Sequence, residues 1–317
     1  MQWSLKRHSV QRIRGAKQAR ARVLTAILAP TIALTLSSCA QVPDPEETID
    51  TLTSVTEAPE IDESSALDEY NVELFPTPIV EPLECTPYLV ITARGTAEPK
   101  KKNQLLSPIV RELVKARPGQ VTTLDLDYPA DADVNLGGTQ GVRMLLDTLR
   151  VQTETCAEQK FVLLGYSQGA LVIGDALAEP ATRLVGHQAG ELSEEAADRV
   201  IAIVFYGDPR FSGAEPHNYG DYDEQRDGIL PRADGALDRF SERLRDFCVA
   251  RDFICQSSTH LDEEGHVSYY TNGMQQDGAA FIITRLDPLL REAETPLEGE
   301  TSLETEASLD AEAPADL

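Results

Sequence analysis

The sequence predicts an α/β fold in which a central parallel sheet is covered by helices on both faces. Short continuous apolar runs, typical of strands buried on both faces, alternate with apolar residues at helical spacing. The 317 residues are 41% hydrophobic, enough for one large domain with a sizeable core or for two small ones. No internal repeat interrupts the alternation, so a doubly covered sheet is the expected architecture.

The elements follow one another through the middle of the chain. Strands are predicted at 88–93 (YLVITA), 121–127, 160–164 (KFVLL) and 200–206 (VIAIVFY). Two amphipathic helices are indicated by stripes at i, i+3, i+4 and i+7, namely Leu106, Ile109, Val110 and Leu113, then Val142, Leu145, Leu146 and Leu149. Further helices are predicted at 168–177, 232–248 and 279–286.

The formal net charge of −25 is unevenly distributed, and its distribution divides the chain. Residues 40–84 contain 13 acids and no base, and residues 292–317 contain nine acids and no base. Both stretches have too few large apolar groups to offset the entropy of ordering, so 39–84 is predicted to be an acidic disordered tether and 292–317 an acidic disordered tail. The folded domain is therefore predicted at 85–291. A chain this acidic is a poor partner for nucleic acid.

The amino terminus has the features of an export signal. Seven bases and no acid occur in 1–38, and the apolar run at 23–36 is shorter than the roughly 20 residues that span a bilayer. Leu36-Ser37-Ser38-Cys39 resembles the bacterial lipobox. The resemblance implies a signal peptide over 1–38 and lipidation of Cys39, which would anchor the protein on the extracellular face of the cell membrane. Cleavage without lipidation, giving a secreted protein, is the alternative.

Four cysteines remain once Cys39 is set aside. An even number in an exported chain predicts two disulfide bonds, and three pairings are possible among Cys85, Cys156, Cys248 and Cys255.

The segment Gly165-Tyr166-Ser167-Gln168-Gly169 carries the chemistry. It lies where a predicted strand meets a predicted helix, the context of a nucleophile elbow, in which small neighbours let the backbones approach. An ordinary glycine-rich turn is the alternative. A serine nucleophile needs a base and a carboxylate that orients it, in the chain order Ser, Asp or Glu, His. That order alone does not choose among His187, His217, His260 and His266.

Three further segments, taken with the elbow, resemble the cutinases. The stretch 248–255 has the pattern C-x-x-x-D-x-x-C of the loop that carries their catalytic Asp. His266-Val267-Ser268-Tyr269 is similar to the segment with their catalytic His, and 93–98 (ARGTAE) resembles their oxyanion loop. The resemblance implies a cutinase-like α/β-hydrolase without a large lid, spanning about 85–290.

The resemblance also implies roles for individual residues. Ser167 corresponds to the nucleophile, His266 to the general base and Asp252 to the group that orients the imidazole. The backbone N–H groups of Thr96 and Gln168 correspond to the oxyanion hole, and the disulfide pairs to Cys85–Cys156 and Cys248–Cys255. The implied function is a serine esterase or lipase that hydrolyses carboxylic esters, on small-molecule or lipid substrates, through an acyl-enzyme and without a cofactor or a metal. The oligomeric state stays open.

Several alternatives remain. Asp208, which follows the strand at 200–206, competes with Asp252 as the orienting carboxylate, and His260 competes with His266 as the base. His260, Asp262 and His266 do not have the spacing of an H-E-x-x-H metal helix, so a metal site is disfavoured. His187 and His217 are expected in surface loops. The competing functions are an acyltransferase, a thioesterase or phospholipase acting on envelope lipids, and an inactive surface binding module.

Overall fold

The computed structural model describes residues 64–101, 103–257 and 263–286, and within them six strands form one sheet. The strand order is β2-β1-β3-β4-β6-β5, and every neighbouring pair is parallel. The predicted α/β class with a central parallel sheet is confirmed. The strands are β1 (Tyr88–Ala93), β2 (Val121–Asp125), β3 (Lys160–Tyr166), β4 (Val200–Tyr206), β5 (Asn218–Tyr219) and β6 (Leu244–Phe247).

Helices cover both faces of this sheet, as predicted. The described helices are α1 (Ser64–Asp68), α2 (Leu106–Ala116), α3 (Val134–Thr155), α4 (Gln168–Leu177), α5 (Glu194–Arg199), α6 (Phe253–Gln256), α7 (Glu264–Val267) and α8 (Met274–Arg285). One core lies between the sheet and α3, α4 and α5, and the other lies between the sheet and α2 and α8. Successive side chains of a strand point to opposite faces, so each central strand contributes to both cores.

The burial of the central strands explains their composition. Every residue of β1 and of β4 is buried, since helices lie above and below them. A strand in this position has no solvent-facing side, which is why the sequence shows apolar runs rather than alternation. The carboxyl ends of these parallel strands meet at one edge of the sheet, and the loops that follow them are brought together there.

One predicted helix, at 232–248, is wrong. The structure has a 3₁₀ helix over Asp238–Arg243, followed directly by strand β6, which pairs with β4. Leu237, Phe240 and Leu244 are all buried and have spacings of three and four, so they imitate the stripe of an α-helix. Tertiary structure overrides this local pattern, because residues 244–247 pair with the edge of β4 as strand β6.

The predicted boundary between tether and domain is also wrong, because the chain is already packed before residue 85. Residues 70–84, here called the strap, run along helix α3 in an irregular conformation. Arg143 of α3 is fully buried and donates from Nη2 to the carbonyls of Phe75 (2.8 Å) and Thr77 (2.9 Å). Asp147 accepts from the Ile79 amide at 2.9 Å.

The strap is ordered by polar contacts rather than by apolar burial. Its backbone supplies the partners that buried polar side chains of α3 require, and Gln152, which is 1% exposed, accepts from the Leu83 amide at 2.7 Å. Several of its large apolar side chains, Leu74, Phe75 and Ile79 among them, stay exposed, so apolar burial does not account for its order. The proposed tether is thus shortened to residues that precede the strap.

The described part of the chain has two disulfide bonds, with the pairing that the cutinase resemblance implies. Cys85–Cys156 joins the end of the strap to the end of α3 across 71 residues, and Cys248–Cys255 closes a loop across only seven. In the loop-entropy account, the longer loop contributes about 4 kcal/mol to stability. Disulfide bonds are typical of proteins that fold outside the reducing cytosol.

Several predictions fall outside the part of the chain that the structure describes. These are the signal peptide at 1–38, the lipidation site Cys39, the tether before residue 64 and the tail at 292–317. Among the residues that are described, no helix combines the length and the hydropathy that a membrane crossing requires.

Candidate active site

Ser167 lies at a sharp turn between β3 and α4, at the carboxyl edge of the sheet. Its backbone has φ 53° and ψ −122°, a conformation that non-glycine residues rarely adopt. The turn requires glycine on both sides. A Cβ on Gly165 would lie 2.7 Å from the Cα of Ala170, and a Cβ on Gly169 would lie 1.9 Å from the Ala93 carbonyl oxygen. The geometry is that of a nucleophile elbow, with the serine at the start of a helix.

His266, on the short helix α7, and Asp252, at the start of α6, reach Ser167 from the part of the chain that follows β6. The Nε2 atom of His266 lies 3.0 Å from the Oγ atom of Ser167. Its Nδ1 atom lies 3.0 Å from each carboxylate oxygen of Asp252. The three side chains come from positions up to 99 residues apart and form one continuous hydrogen-bonded chain. Such a chain allows a proton to leave the serine oxygen for an imidazole whose orientation the carboxylate fixes.

The Asp252 carboxylate is fully buried and has several donors. It caps helix α6, where its Oδ1 atom accepts from the Ile254 amide at 2.9 Å, and its Oδ2 atom accepts from the Tyr269 hydroxyl at 2.7 Å. Burial raises the pKa of Asp252, but the His266 imidazole and the donors from Tyr269 and Ile254 outweigh burial and hold it below its ordinary value. The carboxylate is therefore charged at neutral pH.

An aromatic ring positions the imidazole from the side. Tyr166, which immediately precedes the serine, stacks on His266 with ring centroids 5.0 Å apart and an interplanar angle of 23°. Its hydroxyl donates to the His266 backbone carbonyl at 3.0 Å. The end of strand β3 therefore positions Ser167 directly and helix α7, which carries His266, through Tyr166.

The two residues that the resemblance assigns to the oxyanion hole contact one another. The Thr96 hydroxyl donates to the Oε1 atom of Gln168 at 3.2 Å, and the Nε2 atom of Gln168 donates to the Asp131 carbonyl at 3.1 Å. Thr96 lies in the loop after β1, and Glu98 closes that loop by accepting from the Gly95 amide at 2.9 Å. Burial raises the pKa of Glu98, although backbone donors such as Gly95 act in the opposite direction.

A cleft of about 590 Å³ opens over Ser167 and His266. Its volume lies within the range of small-molecule sites. Its walls are mainly aliphatic and aromatic, formed by Val134, Leu171, Ile229, Leu230, Phe253 and Val267. Polar and acidic residues also line the cleft, namely Thr96, Gln168, Tyr270, Glu98, Asp131 and Glu263. An apolar chain attached to a reacting carbonyl fits this arrangement.

The structure gives Asp208, the competing carboxylate, a different partner. Asp208 is buried and forms an ion pair with Arg232, which is buried as well. The preceding Gly207 has φ 58°, and a Cβ there would lie 2.8 Å from the Oδ2 atom of Asp252. The chain therefore passes closely beside Asp252 and His266 before the Asp208 side chain turns away towards Arg232.

Of the other histidines, His217 departs from expectation. It is 5% exposed rather than on the surface, and burial, with Arg232 nearby, lowers its pKa to about 4. His260 lies outside the described residues. Within the described ranges, no three His, Cys, Asp or Glu side chains are grouped so as to hold a metal ion.

Two tyrosines at the site have roles that the sequence alone does not predict. Tyr166 stacks on His266, and Tyr269 donates to Asp252. Both tyrosines belong to the motifs G-Y-S-Q-G and H-V-S-Y, so the sequence does place them near the catalytic residues. The motifs do not indicate which way each side chain points.

Comparison with known proteins places this site in a family. Residues 84–286 match the family model described as Cutinase. The chain is 30% identical over 214 residues to a protein named Cutinase from Kineococcus radiotolerans, a match that covers 67% of this chain and 64% of that protein's length. It is 29% identical over 202 residues to Phospholipase Culp4 of Mycobacterium tuberculosis, covering 64% of this chain and 80% of the relative.

A solved structure has the same fold. The catalytic core domain of acetyl xylan esterase from Trichoderma reesei is 25% identical, with a TM-score of 0.55 over 64% of this chain and 100% of that domain. A parallel sheet with helices on both faces and a serine at a strand-to-helix elbow define an α/β-hydrolase. Within that class, the chain belongs to the cutinase family of carboxylic ester hydrolases.

Proposed function

We propose that the domain hydrolyses carboxylic esters of lipid acyl groups through an acyl-enzyme on Ser167, with His266 as base and Asp252 as the orienting carboxylate. The observation that supports it most strongly is the hydrogen-bonded chain from Ser167 Oγ through both imidazole nitrogens to Asp252, with distances of 3.0 Å at each step. Ser167 and His266 line a cleft whose walls are mainly apolar.

The mechanism follows from the positions of the proton carriers. Ser167 Oγ attacks the ester carbonyl while its proton passes to Nε2 of His266, and the imidazolium is stabilised by the charged Asp252. The imidazolium then gives that proton to the departing alkoxide, which leaves as the alcohol. A water molecule repeats the sequence on the acyl-enzyme, so the acid is released and Ser167 regains its proton.

The negative oxygen that develops on the carbonyl needs donors fixed before the reaction. The backbone N–H groups of Thr96 and Gln168 are proposed for this role, and the latter stands at the amino end of α4, where free amides favour negative charge. The hydrogen bond between the two side chains keeps the β1 loop against the elbow. Removing one such donor costs on the order of 3 kcal/mol of transition-state stabilisation.

The aliphatic walls give an expectation for the acyl group. Each methylene that leaves water for an apolar wall contributes about 0.8 kcal/mol, which corresponds to at most about a fourfold gain in kcat/KM. We therefore expect kcat/KM to rise from acetate to butyrate to hexanoate esters of one alcohol and to level off once the chain leaves the cleft. Initial rates on that series are the measurement. A flat or falling series would contradict acyl binding in this cleft.

The acyl-enzyme itself is tested by partitioning. Two esters with the same acyl group and different leaving alcohols are given the same added alcohol as a competing acceptor. A shared intermediate requires an identical ratio of acid to new ester from both substrates, and unequal ratios would rule it out. If the new ester dominates in water at modest acceptor concentration, the protein is an acyltransferase rather than a hydrolase.

Attachment to the cell surface belongs to the same proposal. The lipobox-like Leu36-Ser37-Ser38-Cys39 supports lipidation at Cys39, and the acidic residues that follow support a tether leading to the strap. Cys39→Ala should move the protein from the membrane fraction to the medium or stop its processing. A variant that is still cleaved as in the wild type and still found in the membrane fraction would exclude the anchor.

A further inference from the structure

Tyr269 and His266 contact the same carboxylate from one stretch of helix. Helix α7 is continued without a break by a 3₁₀ turn over Ser268–Tyr270, so residues three apart lie on the same side. His266 Nδ1 lies 3.0 Å from both oxygens of Asp252, and the Tyr269 hydroxyl donates to Oδ2 at 2.7 Å. The carboxylate cannot rotate without losing one of these two donors.

Taking the esterase function proposed above as its basis, we propose that Tyr269 is a positioning residue of the reaction: its phenol holds the Asp252 carboxylate and shares the charge that stabilises the imidazolium of His266. Tyr269 does not line the substrate cleft. It therefore acts through Asp252 and not on the substrate.

The surroundings of the Tyr269 hydroxyl keep it protonated and fixed in place as a hydrogen-bond donor. Tyr269 is fully buried, and its ring is fixed edge-on between Tyr166 and Tyr206. Burial and the nearby Asp252 raise the pKa of Tyr269 well above its ordinary value, so the hydroxyl keeps its proton throughout the working range. The hydroxyl is thus shielded from bulk water in the folded protein.

Among the groups around Asp252, His266 and Tyr269 are the ones that contact its charge directly. Asp246 on β6 also faces Tyr269 and Asp252, but burial and the neighbouring Asp208 raise the pKa of Asp246 well above its ordinary value. Arg232 lies next to Asp246 and is paired with Asp208. On the opposite side stands the ring of Tyr166. Asp252 thus carries the negative charge that the imidazolium meets.

The direction of the effect follows from this sharing. When the phenol donates to Asp252, it takes up part of the carboxylate's charge, and less remains to hold a proton on the imidazole. Without the phenol, the carboxylate stabilises the imidazolium more strongly. The imidazole must be neutral to act as base, so the acid limb of activity moves to higher pH in a variant that lacks the hydroxyl.

The direct test compares Tyr269→Phe with Tyr206→Phe. Tyr206 is equally buried and packs against Tyr269, but its hydroxyl donates to the Met274 carbonyl at 3.0 Å and not to Asp252. Both variants lose one buried phenolic hydroxyl and its hydrogen bond, so both are expected to lose stability. Only Tyr269→Phe should lower kcat, by roughly 10- to 100-fold, because a carboxylate that is free to rotate no longer holds the imidazole in line with Ser167. KM should be little changed, and the acid limb of kcat/KM should move upwards.

A second substitution keeps the fold and strengthens the donor. 3-Fluorotyrosine at position 269 has a more acidic phenol of nearly the same shape, and it should move the acid limb to lower pH, opposite to Tyr269→Phe. The titration of the His266 ring protons, followed by NMR, should shift in the same two directions without any substrate. Unchanged titrations in both variants, or an equal loss of kcat in Tyr206→Phe, would overturn the proposal. A wild-type protein with no esterase activity but with the two shifts would refute the proposed function alone.

Discussion

The Ser167→Ala variant should lose at least about 10⁴-fold in kcat for ester hydrolysis while remaining folded. The serine oxygen is the atom that forms the covalent bond, so its removal leaves His266 and Asp252 without a nucleophile to activate. Alanine keeps the Cβ of serine, so the unusual backbone at φ 53° is no more strained in the variant than in the wild type. Initial rates with a soluble acyl ester, and thermal unfolding of both proteins, are the measurements.

A serine outside the site provides the control. Ser107 lies on helix α2, on the other face of the sheet from α4, and its substitution by alanine should leave the rate within about twofold. Residual activity above about 1% in Ser167→Ala, after wild-type contamination is excluded, would mean that another group attacks the ester.

The Arg143→Ala variant should lose about 3–5 kcal/mol in the free energy of unfolding. Arg143 is fully buried, pairs with Asp147 at 2.7 Å and donates to carbonyls of the strap. Its removal leaves the carbonyls of Phe75 and Thr77 without this donor and takes the buried cation away from Asp147, which among the described residues keeps only the Ile79 amide and the half-exposed Arg150. Chemical denaturation gives the change in stability, and limited proteolysis should show faster cleavage within 70–84.

Arg150 makes a matched comparison because it pairs with the same carboxylate. It lies 3.0 Å from Asp147, but 39% of its side chain is exposed, so Arg150→Ala should cost about 1 kcal/mol or less. Equal losses in the two variants would show that burial of Arg143 against the strap is not what stabilises this region.

Much of the sheet and of the candidate site could be predicted from the sequence because their signals are local. The run KFVLL followed by Gly165-Tyr166-Ser167-Gln168-Gly169 marks a buried strand, a tight turn and a helix within twenty residues, and the structure has β3 and α4 there. The fully apolar VIAIVFY predicts β4 in the same way. Since such strands are buried on both faces, their composition is enough to identify them.

The choice of Asp252 over Asp208 depended on a motif and not on local physics. Both are acids near the end of a strand, and both are buried in the structure. Their difference is tertiary: Arg232 accompanies Asp208, and His266 accompanies Asp252. No pattern within either segment indicates which side chain will lie opposite the carboxylate, so only the cysteine frame around Asp252 distinguishes the two acids.

The strap could not be predicted because its partners are distant in the chain. Arg143 bonds carbonyls 66 and 68 residues away, and backbone carbonyls leave no trace in composition. Acidic, proline-containing segments are usually disordered, and the sequence gives no sign that buried polar groups on α3 need this one. The prediction of a helix at 232–248 is wrong for a related reason. Residues 244–247 form strand β6 because they pair with β4, which is distant in the sequence.

The central claim is that Ser167, His266 and Asp252 act together to make a covalent intermediate. A fluorophosphonate acyl-ester mimic, added in excess to the full chain and followed by peptide mass spectrometry, tests it most directly. We expect one adduct per molecule, on the peptide that contains Ser167, with labelling slowed strongly in His266→Ala and absent in Ser167→Ala. An adduct on another residue, or full ester turnover in a protein that the reagent never labels, would contradict it.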